Sequence, residues 1–403
     1  MKLLIGGSPC THWSIAQTKH RETEACGIGW ELFLNYRIAR DKYQPDFFLY
    51  ENNKSMSPAI RTQITAELGV EPVLINSALV SAQNRQRLYW VGKREPDGTY
   101  RQVPVEQPED RGILLRDVLE TGICWREKSY ALQTGHSATA EDAVPVAGRI
   151  VGRRINEQGH RDDYNEAIPH FQYFEVNEEP QKTNCLTTVQ KDNMIAVPMR
   201  VREATKQGYV DIAPGECVDL AMPGSKTRRG RAMREKSNCL TTSCEMYEYC
   251  GTLDAPIYQV RDGRITVKGK EYPIKLRDGC YIIRKLTVAE CKRLQTVPEE
   301  YVFPVSNSQA YKMLGNGWTV EVIAHIMSHF DGLTKEPVEV LSMYDGMSCG
   351  HIALDKLGVQ PWLLRYYATE IDKYAIQTTQ HNFPDTVQLG DAFQVRNDDW
   401  RIC

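Results

Sequence analysis

The chain has 403 residues, enough for about two or three domains at ~150 residues each. With 49 basic against 52 acidic residues the net charge is −3, which excludes a polycationic body, so any surface for a polyanion must be a local patch. Twelve cysteines without paired spacing, no apolar leader over residues 1–7 and no run of ~20 apolar residues predict a soluble protein of a reducing, cytoplasmic compartment with free thiols.

From the start to about residue 94, short apolar runs alternate with helix-like segments. Residues 2–5, 46–50, 71–75 and 87–91 read as strands, and 26–43 and 57–69 as helices. Strands alternating with amphipathic helices predict an α/β fold with a parallel, doubly wound sheet. From about 95 to 283 the pattern changes to short β-like pieces, polar turns and scattered Gly and Pro. Similar phrases at 128–134, 182–188 and 236–242 start 54 residues apart, which suggests a repeated β unit. Basic residues gather in the same stretch. They include Arg149, Arg153, Arg154 and Arg161, then Lys226, Arg228, Arg229, Arg231, Arg234 and Lys236 beside Gly224 and Gly230, as in a flexible loop that follows phosphates. The strand–helix rhythm returns with a strand at 339–343, a helix at 350–357 and a strand at 365–369, so the two ends of the chain are expected to be parts of one sheet.

The residues that can carry chemistry lie at strand ends. Gly6-Gly7-Ser8-Pro9-Cys10 follows the first apolar run and precedes a helical segment, which places Cys10 at the carboxyl edge of a parallel sheet. A thiolate there can act as a nucleophile, although a lone cysteine in such a place also suits an inert buried thiol. Glu51 ends the next strand. Gln83-Asn84-Arg85-Gln86-Arg87 carries alternating arginines that share one face of an extended segment and could clamp a polar ring or a phosphate. Near the other end, Tyr344-Asp345-Gly346-Met347-Ser348-Cys349-Gly350 is a glycine-rich turn between strand and helix, a nucleotide-type loop. In most enzymes of this architecture that loop comes first, so the order is inverted.

Taken together these segments resemble the DNA cytosine-5 methyltransferases. Ser8-Pro9-Cys10 resembles the nucleophile loop of that family, Glu51-Asn52-Asn53 its Glu-Asn motif and Gln83 to Arg87 its Gln-x-Arg-x-Arg motif. Residues 284–295 resemble the helix that leaves the recognition region, and Gly315-Asn316-Gly317-Trp318 the Gly-Asn motif that completes the cofactor pocket. Residues 341–350 resemble the cofactor loop, Glu370-Ile371-Asp372 the acidic strand end and Gly390-Asp391 the third cofactor motif. Phage and prophage members, and the vertebrate de novo enzymes, look most similar, because of Asp345-Gly346 after an aromatic residue and Trp318 after Gly-Asn-Gly. The resemblance implies a circularly permuted chain whose Rossmann-like, S-adenosylmethionine-dependent sheet is assembled from both ends, plus a smaller β-rich target-recognition domain. Residues 1–94 would be the nucleophile half, 95–283 the recognition domain, 284–334 the return that completes the cofactor pocket and 335–403 the cofactor-binding half. Joined head to tail, the permuted ends are expected to lie close together.

The activity implied is transfer of a methyl group from S-adenosylmethionine, leaving S-adenosylhomocysteine, to carbon 5 of a cytosine in a specific double-stranded DNA sequence. Carbon 5 is a poor nucleophile until a thiolate, Cys10, adds to carbon 6. Glu51 would relieve the resulting charge at ring nitrogen 3, and Arg87, with Arg85 behind it, would hold the ring carbonyl or flanking phosphates. The base must flip out of the duplex. For the cofactor, Tyr344 would stack on adenine within a loop that includes Asp345, Gly346, Met347 and Gly350. Glu370 beside Ile371 would bond the ribose, Asp391 the adenine amino group, and Asn316 and Trp318 would close the methionine end. Glu370 and Asp391 also suit helix caps. Arg153, Arg154, Arg228, Arg229 and Arg231 would contact DNA.

Thr11 stands where many members carry Gln, and Asn53 where Val is usual, so Ile15, His20 and Arg21 are candidates to fill the gap left by the flipped base. Cys239, Cys244 and Cys250 lack Cys-x-x-Cys spacing, and no metal is expected. A monomer in a bacterial or phage-infected cell is implied, and a cognate restriction endonuclease is compatible with it. Rival readings are an RNA cytosine methyltransferase on the same fold, a DNA-binding relative that has lost catalysis and, more distantly, a nicotinamide oxidoreductase.

Overall fold

Leu3, Leu4 and Ile5 in β1 (Lys2–Gly6) are fully buried, and every residue of β2 (Phe47–Asn53) is buried. Near-continuous apolar strands of this kind belong in the middle of a sheet covered on both faces. The computed structural model places them there. It describes residues 1–14, 21–119, 146–154, 156, 160–177, 181–188, 193–212, 217–219, 232–233, 246–248, 257–267, 269–274, 276 and 278–402. The chain divides into two compact units. The first comprises Met1–Ile113, Cys185–Thr188 and Cys291–Cys403, and the second Leu114–Asn184 and Val189–Glu290.

The first unit adds β3 (Pro72–Asn76), β4 (Gln86–Arg94), β5 (Tyr100–Gln102), β6 (Val338–Met343), β7 (Leu364–Thr369) and β8 (Val387–Gly390). These form one sheet in the order β8-β7-β6-β1-β2-β4-β3, with β5 on β4. From β8 to β2 all pairs are parallel. β4 departs from the expected parallel sheet and runs antiparallel to both β2 and β3. The reason is length: parallel neighbours need a crossover of a dozen or more residues, and the connection from β3 to β4 is only a short loop with one 3-10 turn, Ser77–Leu79.

Helices cover both faces. Trp30, Phe33, Tyr36, Ala39 and Tyr43 recur at helical spacing along α1 (Gly27–Tyr43) and, with Ile60, Ile64 and Leu68 of α2 (Pro58–Leu68), pack over Leu4, Phe48, Tyr50, Trp90 and Leu341. Local chemistry bounds α2. Ser57 caps it by accepting from Ile60 N at 3.3 Å, Pro58 begins it, and Gly69 follows it in the left-handed region at φ 75°. Beyond α3 (Asn307–Asn316) and α4 (Val320–Met327), α5 (Cys349–Lys356) packs on Ile5, whose side chain faces away from Leu4 as the strand period requires. α6 (Lys373–Asn382) is capped by Asp372, which accepts from Tyr374 N at 2.9 Å.

Both ends of the chain build this sheet. Lys42 at the end of α1 donates to Asn397 O at 2.6 Å, and Lys2 Nζ lies 4.9 Å above the ring of the adjoining Tyr43. The first and last stretches thus meet consecutive residues.

The second unit holds a separate seven-stranded sheet in the order Lys270–Pro273, Arg264–Val267, Ile257–Arg261, Gly279–Lys285, Met194–Pro198, Val146–Arg153 and Phe171–Val176, with antiparallel neighbours. Phe174, Ala196, Val260, Ile265, Ile274 and Tyr281 form its core. The unit edges differ from the compositional boundaries at 94 and 283. β5 extends the first sheet past 94, and Gly279–Lys285 carries the second past 283. Of the three similar phrases only 182–188 is described, and its last four residues belong to the first unit. The phrases at 128–134 and 236–242, the cluster Arg228, Arg229 and Arg231, and Cys239, Cys244 and Cys250 lie outside the described residues. Among the described residues no helix is long and apolar enough to cross a membrane.

A Cβ on Gly350 would stand 2.2 Å from Ile5 Cδ1 and 2.9 Å from the Tyr366 hydroxyl, so this glycine sets how closely α5 approaches β1 and β7. Gly350→Ala is therefore expected to destabilise the protein by about 1–3 kcal/mol through overpacking. Equilibrium urea unfolding measures it, and an unchanged midpoint would refute the assignment.

Candidate active site

The carboxyl ends of β1, β2 and β6 lie side by side at one edge of the first sheet. After β1 the chain passes through Gly7-Ser8-Pro9 into a 3-10 turn, Cys10–His12. Cys10 opens that turn, and its side chain lies outside the described residues. The loop is tied to β2: the Ser8 and Tyr50 hydroxyls are 2.7 Å apart, and Asn52 Nδ2 donates to Ser8 O at 3.1 Å. Burial pushes the Tyr50 phenol far up, so it stays a neutral hydroxyl.

Glu51, one residue before Asn52 and so on the opposite face of β2, carries the carboxylate. Arg87 Nε pairs with its Oε1 at 3.0 Å, and Trp318 Nε1 donates to its Oε2 at 3.0 Å. Both oxygens are thus fixed by a donor. A Cβ on Gly7 would lie 2.9 Å from both the backbone oxygen and Oε2 of Glu51, so only glycine there lets the carboxylate rest against the loop that leads to Cys10.

Arg85 lies deeper. Its guanidinium donates to Gly317 O at 2.8 Å, Gly315 O at 3.3 Å and Cys185 Sγ at 3.0 Å, which pins the Gly-Asn-Gly turn. The same turn is held by a buried polar network. Gln295 Nε2 donates to Leu314 O at 2.6 Å, Thr319 Oγ1 to Gln295 Oε1 at 3.0 Å, and Ser77 Oγ to Thr319 Oγ1 at 2.8 Å. Gln83 joins it by donating to Leu294 O and accepting from Leu186 N at 3.0 Å. A Cβ on Gly315 would meet the Thr187 carbonyl carbon at 2.6 Å, so residues 185–188 lie directly on this turn.

The glycine-rich loop follows β6. Tyr344, Gly346 and Ser348 have φ of 61°, 60° and 57°, three left-handed residues in one turn, and for the two non-glycines this costs about 1 kcal/mol or more each. Such strain persists where surrounding bonds over-determine it. The Tyr344 hydroxyl donates to Leu32 O at 2.7 Å, and Gly346 N donates to Glu370 Oε2 at 2.8 Å. Asp345 accepts from the Tyr366 hydroxyl at 2.8 Å and from Ser348 Oγ. Burial pushes its carboxyl from 3.8 up to about 6, against the pull of the Ser348 and Tyr366 hydroxyls. Glu370 also accepts from Ile371 N at 2.7 Å and Asp372 N at 2.8 Å, while the Ile371 side chain is open to solvent.

Other sequence-derived candidates fall as follows. Met347 is buried, with its carbonyl accepting from Tyr301 at 2.7 Å, and Gly350 packs on β1 and β7. Asn316 is exposed on the Gly-Asn turn, and Asp391 caps the 3-10 turn Ala392–Arg396 by accepting from Phe393 N at 2.9 Å. In the second unit Arg153 pairs with Glu175 at 3.3 Å, and Arg154 donates to Asp163 O at 2.8 Å and Ile168 O at 3.1 Å. Arg21 donates to Trp13 O and Ser55 O, whereas Ile15 and His20 lie outside the described residues. Sequence reasoning gave no separate part to Gly7 or Cys185, and it did not anticipate the bond from Trp318 to Glu51. The doubled glycine before Ser-Pro-Cys was the available signal for Gly7. Among the described residues no cluster of His, Cys, Asp or Glu is placed to hold a metal ion.

Trp318→Phe keeps a ring but removes the donor to Glu51. Losing a hydrogen bond to a charged group costs about 1.5–3 kcal/mol, so turnover is expected to fall roughly tenfold to a hundredfold with cofactor KM unchanged. Steady-state kinetics with both substrates varied decide it; a rise in cofactor KM alone would place the indole elsewhere. Asp345 gives a pH-dependent test. Its folded value near 6 lies above 3.8, so the folded state holds the proton more tightly, and this group's stabilisation is full below 3.8 and lost as pH rises through about 6. Asp345→Asn is expected to flatten that part of the stability profile in denaturant titrations, and an unchanged slope would refute the burial argument.

A family model, C-5 cytosine-specific DNA methylase, matches residues 1–331. The chain is 23% identical to the orphan methyltransferase M.SPRI of Bacillus phage SPR, covering 80% of this chain and 81% of that one. It is also 23% identical to the type II methyltransferase M.HgiBI of Herpetosiphon aurantiacus, covering 80% of each. Among solved structures, Dnmt2 methyltransferase of S. pombe aligns at 14% identity and a TM-score of 0.32 over 81% of this chain and 76% of that one. The family model thus spans most of the chain, with phage and type II methyltransferases among its relatives, and the chain belongs to the C-5 cytosine-specific DNA methylase family.

Proposed function

We propose that this methyltransferase transfers a methyl group from S-adenosylmethionine to carbon 5 of a cytosine flipped out of a specific double-stranded DNA sequence, through a covalent adduct with Cys10. This is the reaction of the DNA (cytosine-5-)-methyltransferases. One observation carries the reading: Glu51 is fixed on both carboxylate oxygens by Arg87 and Trp318, against the loop that runs into Cys10.

The glycine-rich loop fits the cofactor. Among the described residues, and leaving aside its two chain neighbours, no atom lies within 4 Å of where a Cβ on Gly346 would stand, so the backbone is open to close approach on that side. Tyr344 and Ile371 offer apolar surface, Glu370 and Asp391 offer acceptors at the ends of the next two strands, and Asn316 and Trp318 lie on the Gly-Asn turn. When bound, S-adenosylmethionine supplies a methyl group made electrophilic by its sulfonium.

The chain's own residues do the rest. Cys10, as thiolate, adds to carbon 6 and pushes an electron pair into the ring toward carbon 5. Glu51 takes up a proton from solvent as the base binds and donates it to ring nitrogen 3, where negative charge develops, then takes it back when the sulfur leaves; because the carboxyl group is already oriented, no reorganisation is needed at that moment. Once carbon 5 carries the methyl group, a solvent-derived base takes its proton, and the electron pair left behind restores the ring double bond and expels the Cys10 sulfur as thiolate. The β-rich second unit supports a role in reading duplex sequence. A cytoplasmic monomer, with or without a cognate restriction endonuclease, is the setting of this reading.

Duplex DNA carrying 5-fluorocytosine blocks the final proton loss, so with cofactor the wild type is expected to form a complex that survives denaturing electrophoresis, and Cys10→Ala none. Bisulfite sequencing of DNA from expressing cells should show one methylated context that disappears in Cys10→Ala. Methylation that persists without the thiol would eliminate the adduct, and transfer to RNA alone would eliminate the duplex.

A further inference from the structure

Arg85 is buried and Arg87 partly so, which brings two guanidinium charges together in the first unit, and among the described residues the carboxylate that faces them is Glu51, through Arg87. The other partners of Arg85 are the carbonyls of Leu186, Gly315 and Gly317, and among the described residues it meets no carboxylate. Cys185 closes this gap. Its sulfur accepts from Arg85 Nη1 at 3.0 Å and from Arg87 Nη2 at 3.2 Å. A thiol would leave one buried positive charge without a counter-charge, which is costly away from water, whereas a thiolate makes the group of four neutral.

We propose that Cys185 is a positioning residue for methyl transfer: as a thiolate it holds both guanidinium groups and, through Arg87, sets the orientation of the Glu51 carboxylate. The inference rests on the roles given to Glu51 and Arg87 above.

The geometry fits a positioning role better than a packing one. Arg87 spans from Cys185 Sγ to Glu51 Oε1 with Nη2 and Nε, while Nη1 bonds Gln86 O at 2.9 Å, so its plane is fixed at three points. Cys185 is itself held, because Leu186 N donates to the buried Gln83 at 3.0 Å and Thr187 lies against Gly315. Burial works against ionisation of the sulfur, but the Arg85 and Arg87 charges and hydrogen bonds outweigh it and bring the thiol below its ordinary value. The Leu186 carbonyl also lies 3.4 Å from the sulfur, and only a protonated sulfur could donate to it.

Methyl transfer to duplex DNA by the full chain, with kcat and KM separated and thermal midpoints recorded, is compared for wild type, Cys185→Ser, Cys185→Ala and Cys185→Asp. Cys185→Ser and Cys185→Ala are expected to lower kcat by about a hundredfold, the scale for misplacing a catalytic group by about an ångström, with cofactor KM unchanged. Cys185→Asp restores a negative charge and is expected to recover most of the loss, which a merely structural role would not produce. A Cys185→Ser protein as fast as wild type overturns the inference. So does a Cys185→Asp protein that melts with the wild type yet is as slow as Cys185→Ser. Independently of turnover, ultraviolet absorbance at neutral pH should show one more thiolate in the wild type than in Cys185→Ser, and equal absorbance overturns the inference as well. A wild type that transfers no methyl group refutes the proposed function instead, and the thiolate measurement still decides the state of Cys185.

Discussion

The parallel pairing of β1 with β6, in register from Lys2 with Glu339 to Gly6 with Met343, is the constraint on which the site depends. It sets the loop that leads to Cys10 beside the loop that carries Tyr344 and Gly346, although the two come from opposite ends of the chain. A hydrogen bond from the Met1 ammonium to Pro337 O, 336 residues away, lies at the same junction. Closing so long a loop costs about 5 kcal/mol by polymer entropy, because the cost grows only with the logarithm of length. Burying Leu3, Leu4, Ile5, Val340, Leu341 and Met343, at ~1.5–3 kcal/mol each, outweighs that cost.

Once those strands are adjacent, the chemistry follows from how buried polar groups must be satisfied. Glu51 cannot lose water without partners, and Arg87 and Trp318 supply them from a neighbouring strand and from the Gly-Asn turn. That turn is fixed by Arg85, Gln83, Gln295 and Thr319, a network whose members are nearly all buried and bonded. Glycine at 7 and at 315 then sets the distances, since any side chain there would collide with Glu51 or with the backbone of Thr187.

Much of this was legible in the residues. The helix read at 26–43 is α1, and the strands read at 46–50 and 339–343 lie within or against β2 and β6. Alternating arginines at 85 and 87 do share a face, and both reach Cys185. The antiparallel sense of β4 was not legible, because strand direction depends on the connection and not on the apolar pattern. Nor was the close packing of Gly350 on Ile5 and Tyr366, which come from other strands of the sheet.

Element type and the presence of reactive residues at strand ends are local properties, carried by periodicity, caps and turn residues within a few positions. For that reason the sequence alone pointed to an α/β unit built from both chain ends and a β-rich insert, and it placed Cys10, Glu51, Arg87 and the glycine-rich loop at or beside strand ends. Which of these touch was a matter for tertiary structure. Trp318 reaches Glu51 across 267 positions and Arg87 reaches Cys185 across 98, and contacts at that range arise from how buried strands and charges are paired, which no local pattern encodes.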